Sequence, residues 1–150
     1  MLKVGVIGGG SISEFHLKPY FDHPNVEIVA ICDSNERRLH ALRKKYFVNN
    51  LYLKVSEFLA NEEIDAISIC TWNNSHAEIA IQALQQNKHV LLEKPLSLTL
   101  DEAYAVEAAV NESKKILQVG YVRRFATNVG VLKKFIDAGE LGEIYYAKAS

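Results

Sequence analysis

Val4-Gly5-Val6-Ile7-Gly8-Gly9-Gly10-Ser11-Ile12-Ser13 is a β-branched run that breaks into three glycines and then resumes with mixed polarity. It reads as strand, tight turn and helix, the helix running from about Ser11 to Phe21 with Ile12, Phe15 and Pro19 on one side. The turn matches G-x-G-x-x-G in its first two glycines, Gly8 and Gly10. The first permits the tight turn; the second lets the backbone approach a diphosphate closely. Amides opening the helix, around Ser11 and Ile12, then bind the anion with help from the helix dipole. The third position holds Ser13, small enough to keep helix and strand close. Alone, this pattern also fits a purely structural turn.

On either side of this turn, short β-branched runs alternate with longer amphipathic ones. Strands are expected at Val26–Cys32, Leu51–Leu53, Ile64–Cys70, His89–Leu92 and Ile116–Val119. Between them, Ser34 is expected to cap a helix to about Tyr46 with Leu39 and Leu42 three apart, and a short helix lies around Ser56–Ala60. Ser75-His76-Ala77-Glu78 and Thr99-Leu100-Asp101-Glu102 read as capping boxes, opening helices to about Asn87 and Lys115. Strict alternation predicts an α/β, doubly wound parallel sheet in the order 3-2-1-4-5-6, the Rossmann-type arrangement. A further helix over Asn128–Ala138 stops at Gly139, and Glu143–Ser150 reads as a strand with no helix after it. The expected division is a dinucleotide-binding domain at 1–120, followed at 121–150 by a crossover helix and a strand that reads as the start of something further.

The chain has 150 residues, 49% apolar and 23% charged, a composition that favours a folded globular domain over disorder. Seventeen basic against eighteen acidic residues leave a net charge of −1, so no basic field draws nucleic acid or an anionic membrane. No apolar run approaches the roughly 18 residues of a membrane span. The apolar start runs straight into the glycine turn without a signal-peptide cleavage segment, and the cytoplasm is the expected location.

Asp33 follows the second strand, 25 positions on from Gly8. That offset suits the acid that accepts bonds from the adenosine ribose hydroxyls, with Ser34 and Arg38 beside it; a plain helix cap is the alternative. A carboxylate there also disfavours a 2′-phosphate. Unit charges about 4 Å apart at an effective dielectric of about 20 interact by about 4 kcal/mol, and each 1.4 or so is about tenfold in affinity. NAD is therefore expected over NADP. Arg37 and Arg38 keep NADP open as the alternative cofactor, unless they form only a solvated helix face.

Three later segments are more specific: Ile69-Cys70-Thr71-Trp72-Asn73-Asn74-Ser75-His76, His89-Val90-Leu91-Leu92-Glu93-Lys94-Pro95-Leu96 and Gly120-Tyr121-Val122-Arg123-Arg124-Phe125. Together with the glycine turn they resemble the N-terminal half of the glucose–fructose oxidoreductase / inositol dehydrogenase (Gfo/Idh/MocA) family. The resemblance implies an NAD(P)-dependent oxidoreductase that transfers hydride to or from a sugar, cyclitol or related polyol. It implies that Lys94 donates a hydrogen bond to the reacting oxygen and that Glu93 accepts from the nicotinamide ribose, with a cis peptide before Pro95. It places Thr71, Trp72, Asn73 and His76 along the cofactor and brings Arg124 to the nicotinamide or substrate. Many relatives have Thr-Pro-Asn where this chain has Thr71-Trp72-Asn73. For His76 capping is an even alternative, and for Arg123 and Arg124 an interdomain ion pair. The resemblance further implies a longer, homo-oligomeric whole protein whose second domain is α+β, with residues 121–150 its crossover helix and first strand, and supplies an aspartate and a histidine base. The 150 residues are then expected to bind NAD without turnover, and Ile144, Tyr145 and Tyr146 to be an unpaired edge prone to dimerise or fray.

Cys32 and Cys70 end strands that flank the first one, so they are expected about 10 Å apart, too far for a disulfide. No His or Cys set has metal-ligand spacing. His16 is expected to be packed or hydrogen-bonded. A non-catalytic nucleotide-sensing or partner-binding module is the alternative function. An S-adenosylmethionine methyltransferase also suits an acid after the second strand, but Glu93-Lys94-Pro95 argues against it.

Overall fold

A computed structural model describes residues 1–61 and 63–148. The chain divides into two units, residues 1–120 and 121–150. In the first, six parallel strands form one sheet in the order β3-β2-β1-β4-β5-β6, as expected. They are β1 (Leu2–Ile7), β2 (Val26–Cys32), β3 (Asn50–Tyr52), β4 (Ala66–Ile69), β5 (His89–Leu92) and β6 (Leu117–Val119). The register between β1 and β2 shifts once, between Val4 and Gly5. Helices α1 (Glu14–Asp22), α2 (Glu36–Tyr46), α3 (Val55–Leu59), α4 (His76–Gln85) and α5 (Leu100–Ser113) connect the strands.

Period-two alternation sorts the strand side chains into two apolar clusters, as a sheet covered on both faces requires. Ile7, Ala30, Cys32 and Ile69 join Phe58 of α3, Ile79, Ala80 and Leu84 of α4 and Ala109 of α5. Val6, Ile31 and Cys70 join Leu17 of α1 with Leu39, Leu42 and Tyr46 of α2. Both cysteines are buried free thiols.

Several local expectations are corrected. The first helix does not begin at Ser11: residues Ser11–Ser13 form a 3₁₀ turn and α1 starts at Glu14. The tighter turn changes the helical phase, so the fully buried positions are Ser13 and Leu17, whereas Phe15 is 76% exposed and Ile12 and Pro19 also face solvent. Ser34 does not cap α2. Asn35 does, its side chain accepting from the Arg38 amide at 3.2 Å. Ser75 makes no capping box either, because a 3₁₀ turn over Asn73–Ser75 gives it a helical rather than extended backbone. The Thr99/Glu102 box is present in both directions.

In the second unit a 3₁₀ turn (Val122–Phe125) precedes α6 (Thr127–Asp137), and Gly139 follows at φ +72°. The strand expected over Glu143–Ser150 does not form in its described part, through Lys148; Ala149 and Ser150 lie outside the described residues. A strand exists only by pairing, and among the described residues nothing pairs with this one, leaving Tyr145 95% exposed.

Candidate functional site

The carboxyl ends of β1, β2 and β4 open into a cleft of about 710 Å³, within the size range of small-molecule sites. Its walls include Gly8, Gly10, Ser11, Ile12, Asp33, Ser34, Arg38, Thr71 and Trp72, brought together from segments more than sixty positions apart. Asn74 and Ser75 continue that wall, and Ile7, Cys32, Leu53, Val55, Cys70 and Ile79, not anticipated as lining, complete it. Open α/β sheets bind ligands at this place, where the chain connects outward in both directions from β1.

The glycine turn is held rigidly. Gly8 donates to the Cys32 carbonyl at 2.8 Å and sits at φ +94°, where a Cβ would lie 2.6 Å from the Cys70 backbone. Only glycine fits both the angle and the space. Gly9 donates to Asp33 Oδ2 at 2.6 Å. Ser13, the small residue at the third motif position, donates its hydroxyl to the Gly10 carbonyl at 2.7 Å. Gly10 itself has ordinary extended backbone, and a Cβ added there meets nothing within 4 Å. Its value is therefore open space. The amides of Gly10, Ser11 and Ile12 have no backbone acceptor among the described residues, so the turn offers free donors beside a vacant approach. That arrangement fits a diphosphate.

Asp33 is 7% exposed and already bonded twice, to the Gly9 amide and, through Oδ1 at 2.7 Å, to the Asn35 amide. It thus ties the glycine turn to the start of α2. A carboxylate has about four lone-pair sites, so capacity remains toward the cleft. Arg38 Nη1 stands 3.7 Å from Oδ2 on a half-exposed side chain.

The wall after β4 is built differently from expectation. Trp72 is 84% exposed, an apolar ring facing open space. Ser75 donates to Thr71 Oγ1 or the Trp72 carbonyl, each at 2.8 Å, which folds this loop on itself. His76 is 1% exposed and does not line the cleft. Its Nδ1 lies 2.7 Å from the Pro95 carbonyl and its Nε2 3.1 Å from the Thr71 carbonyl. It joins the loop after β4 to the loop after β5. Asn73 is exposed on the 3₁₀ turn and is not part of the lining, where Asn74 stands instead.

After β5, Glu93 is buried and Lys94 exposed, and the Lys94–Pro95 peptide is cis. Neither side chain lines the cleft. Glu93 Oε1 lies 3.0 Å from His16 Nε2, and Oε2 accepts from the Lys94 amide at 3.3 Å. Gly120 faces this carboxylate: a Cβ there would stand 3.4 Å from Oε1. Arg124 belongs to the second unit, exposed on its 3₁₀ turn. Burial pushes the Cys32 and Cys70 thiols up to about 12, with Asp33 adding to the first and Glu93 to the second.

A family model described as oxidoreductase family, NAD-binding Rossmann fold, matches residues 2–121. The chain belongs to the Gfo/Idh/MocA oxidoreductase family. It is 34% identical over 145 residues to inositol 2-dehydrogenase of Salmonella typhimurium, a match covering 95% of this chain and 43% of that protein. The WlbA dehydrogenase of Bordetella pertussis, solved with NADH and UDP-GlcNAcA, superposes with a TM-score of 0.91 at 29% identity, over 96% of this chain and 45% of that one. Scyllo-inositol dehydrogenase of Lactobacillus casei, solved with NAD(H) and scyllo-inositol, gives 0.89 at 23% identity, over 96% and 43%. The chain thus spans less than half the length of the relatives it matches.

Proposed function

We propose that this chain is the NAD-binding part of a dehydrogenase that moves hydride to or from a CH–OH carbon of a cyclitol or sugar. The observation that carries this is the glycine turn, locked by Asp33 at the mouth of the cleft, with free amides at Gly10, Ser11 and Ile12 and open space before Gly10. Those amides hold the cofactor's diphosphate. Asp33 and Ser34 take the adenosine ribose hydroxyls, and Arg38 flanks them. Thr71 and Trp72, with Asn74 in the place expected for Asn73, form the wall along which the cofactor lies, and His76 fixes that wall from behind. Glu93 accepts from the nicotinamide ribose. When bound, NAD would supply the hydride acceptor, and its reduced form the hydride donor in the reverse direction.

Lys94, exposed at the end of β5, donates a hydrogen bond to the reacting oxygen and steadies the negative charge that grows there. By the family resemblance, Arg124 serves the nicotinamide or the substrate in the whole protein. The whole protein's activity on a polyol or sugar, its homo-oligomeric state and its cytoplasmic location belong to the same proposal. The family's known inositol and nucleotide-sugar enzymes favour this substrate class.

Calorimetry with NAD and NADP tests the reading. NAD is expected to bind tighter by at least about tenfold, because the Asp33 carboxylate opposes a 2′-phosphate. Arg38→Ala is expected to widen that gap. The 150-residue chain is expected to show no turnover with polyols, and in the longer protein Lys94→Ala is expected to lower kcat by about 10²–10³ with cofactor affinity kept. Tighter NADP binding, or binding of neither dinucleotide, would overturn the assignment.

A further inference from the structure

Ser68 is the one polar residue in a strand that otherwise reads Ala66, Ile67, Ile69, and it is 1% exposed. The sheet does not need a hydroxyl there, and a buried hydroxyl is costly unless bonded. It is bonded twice, and both partners come from α1. Tyr20 Oη lies 2.7 Å from Ser68 Oγ, and His16 Nδ1 lies 3.2 Å from it. The other ring nitrogen of His16 meets Glu93 Oε1 at 3.0 Å. Four side chains from α1, β4 and the end of β5 therefore form one continuous, partly buried line.

With Glu93 ionised and the His16 ring neutral, the protons in this line take one consistent order. An ionised carboxylate only accepts, so His16 Nε2 donates to Glu93. In a neutral ring the other nitrogen then accepts, so the Ser68 hydroxyl donates to Nδ1. Ser68 Oγ is left to accept from the Tyr20 hydroxyl. Burial raises Tyr20 above its ordinary range, which keeps that phenol a donor. Every member is satisfied, and the chain ends on Glu93.

We propose that His16, oriented by Ser68 and Tyr20, is a positioning residue that fixes the Glu93 carboxylate for the nicotinamide ribose. This rests on the reading of Glu93 given above. The line links α1, whose opening turn faces the diphosphate, to the loop carrying Lys94. The adenosine half of the cofactor does not depend on it; the nicotinamide half does.

Titration of the 150-residue chain with NAD and with ADP separates these halves. His16→Ala is expected to weaken NAD by about tenfold, the size of one lost hydrogen bond to a charged group, while ADP affinity stays within about twofold. His16→Gln, which keeps an amide donor toward Glu93, is expected to recover most of the NAD affinity. Ser68→Ala is expected to fall between them, and it gives the same reading should His16→Ala not fold. Nitrogen NMR of the ring is expected to show the Nε2–H tautomer. Equal losses for NAD and ADP, unchanged NAD binding, failure of the Gln rescue, or the Nδ1–H tautomer would overturn the proposal. A wild-type chain that binds ADP but not NAD would instead overturn the reading of Glu93, and this inference with it.

Discussion

Gly8 and Gly10 occupy neighbouring places in one motif, yet the structure uses them for different reasons. At Gly8 a side chain meets both a positive φ and the Cys70 backbone at 2.6 Å. Gly8→Ala is expected to cost at least about 1–3 kcal/mol of stability from the backbone angle alone, read by chemical unfolding. At Gly10 nothing obstructs a side chain. Gly10→Val is expected to leave stability within about 0.5 kcal/mol while weakening NAD by at least about tenfold, because the new methyls occupy the diphosphate's approach. A large stability loss at Gly10, or unchanged NAD binding there, would contradict this. The two thiols behind the turn yield a pH prediction. Each is raised in the folded protein from its ordinary range to about 12. Between about pH 9 and 12 the unfolded chain has released these protons and the folded one has not. Stability is therefore complete below about pH 9 and falls as pH rises, by about 1.4 kcal/mol per pH unit per thiol. Urea melts of wild type and of Cys70→Ala across that window are expected to differ in slope by that amount. The motif residues were legible in the sequence because their spacing is local. The line from Tyr20 through Ser68 and His16 to Glu93 was not, since its bonds span up to 77 positions and exist only once α1 lies on β4 and β5.

Helix starts show where local pattern ends and tertiary context begins. Ser75 and Thr99 both stand three residues before a glutamate. Thr99 has extended backbone, φ −128° and ψ 161°, and closes the box. Ser75, at ψ −3°, sits inside a 3₁₀ turn and turns its hydroxyl to the Thr71–Trp72 loop. The same residue types thus serve a helix cap in one place and a cleft wall in the other, and the backbone angle decides. Thr99→Ala is expected to cost about 1 kcal/mol, a drop of roughly 2–4 °C in Tm. Scanning calorimetry checks this; an unchanged Tm would mean that Glu102, which accepts from the Leu98 and Thr99 amides, holds the cap alone. The burial phase of α1 was not legible for a related reason. Ile12, Phe15 and Pro19 fall on one side of a helix begun at Ser11, but three residues of 3₁₀ turn precede α1 and hand the buried positions to Ser13 and Leu17.

At the scale of the whole chain, strand order was readable because alternating strands and helices with right-handed crossovers leave few arrangements. The fate of the final segment was not legible because pairing partners are not encoded in the segment that pairs: Ile144-Tyr145-Tyr146 has a strand's composition and, among the described residues, pairs with no strand. All five strand pairings, and every buried member of both apolar clusters, lie within residues 1–120. So do the cleft's walls. A chain shortened to residues 1–120 is therefore expected to unfold in one cooperative transition and to bind NAD within about threefold of the 150-residue chain, a difference of about 0.7 kcal/mol or less. Thermal melts followed by circular dichroism and calorimetric titration of both lengths make the comparison. Loss of the cooperative transition would mean that residues 121–150 are needed for the sheet to close its core. A cooperative melt with weakened NAD would mean that this segment, Arg124 included, contributes directly to the cofactor.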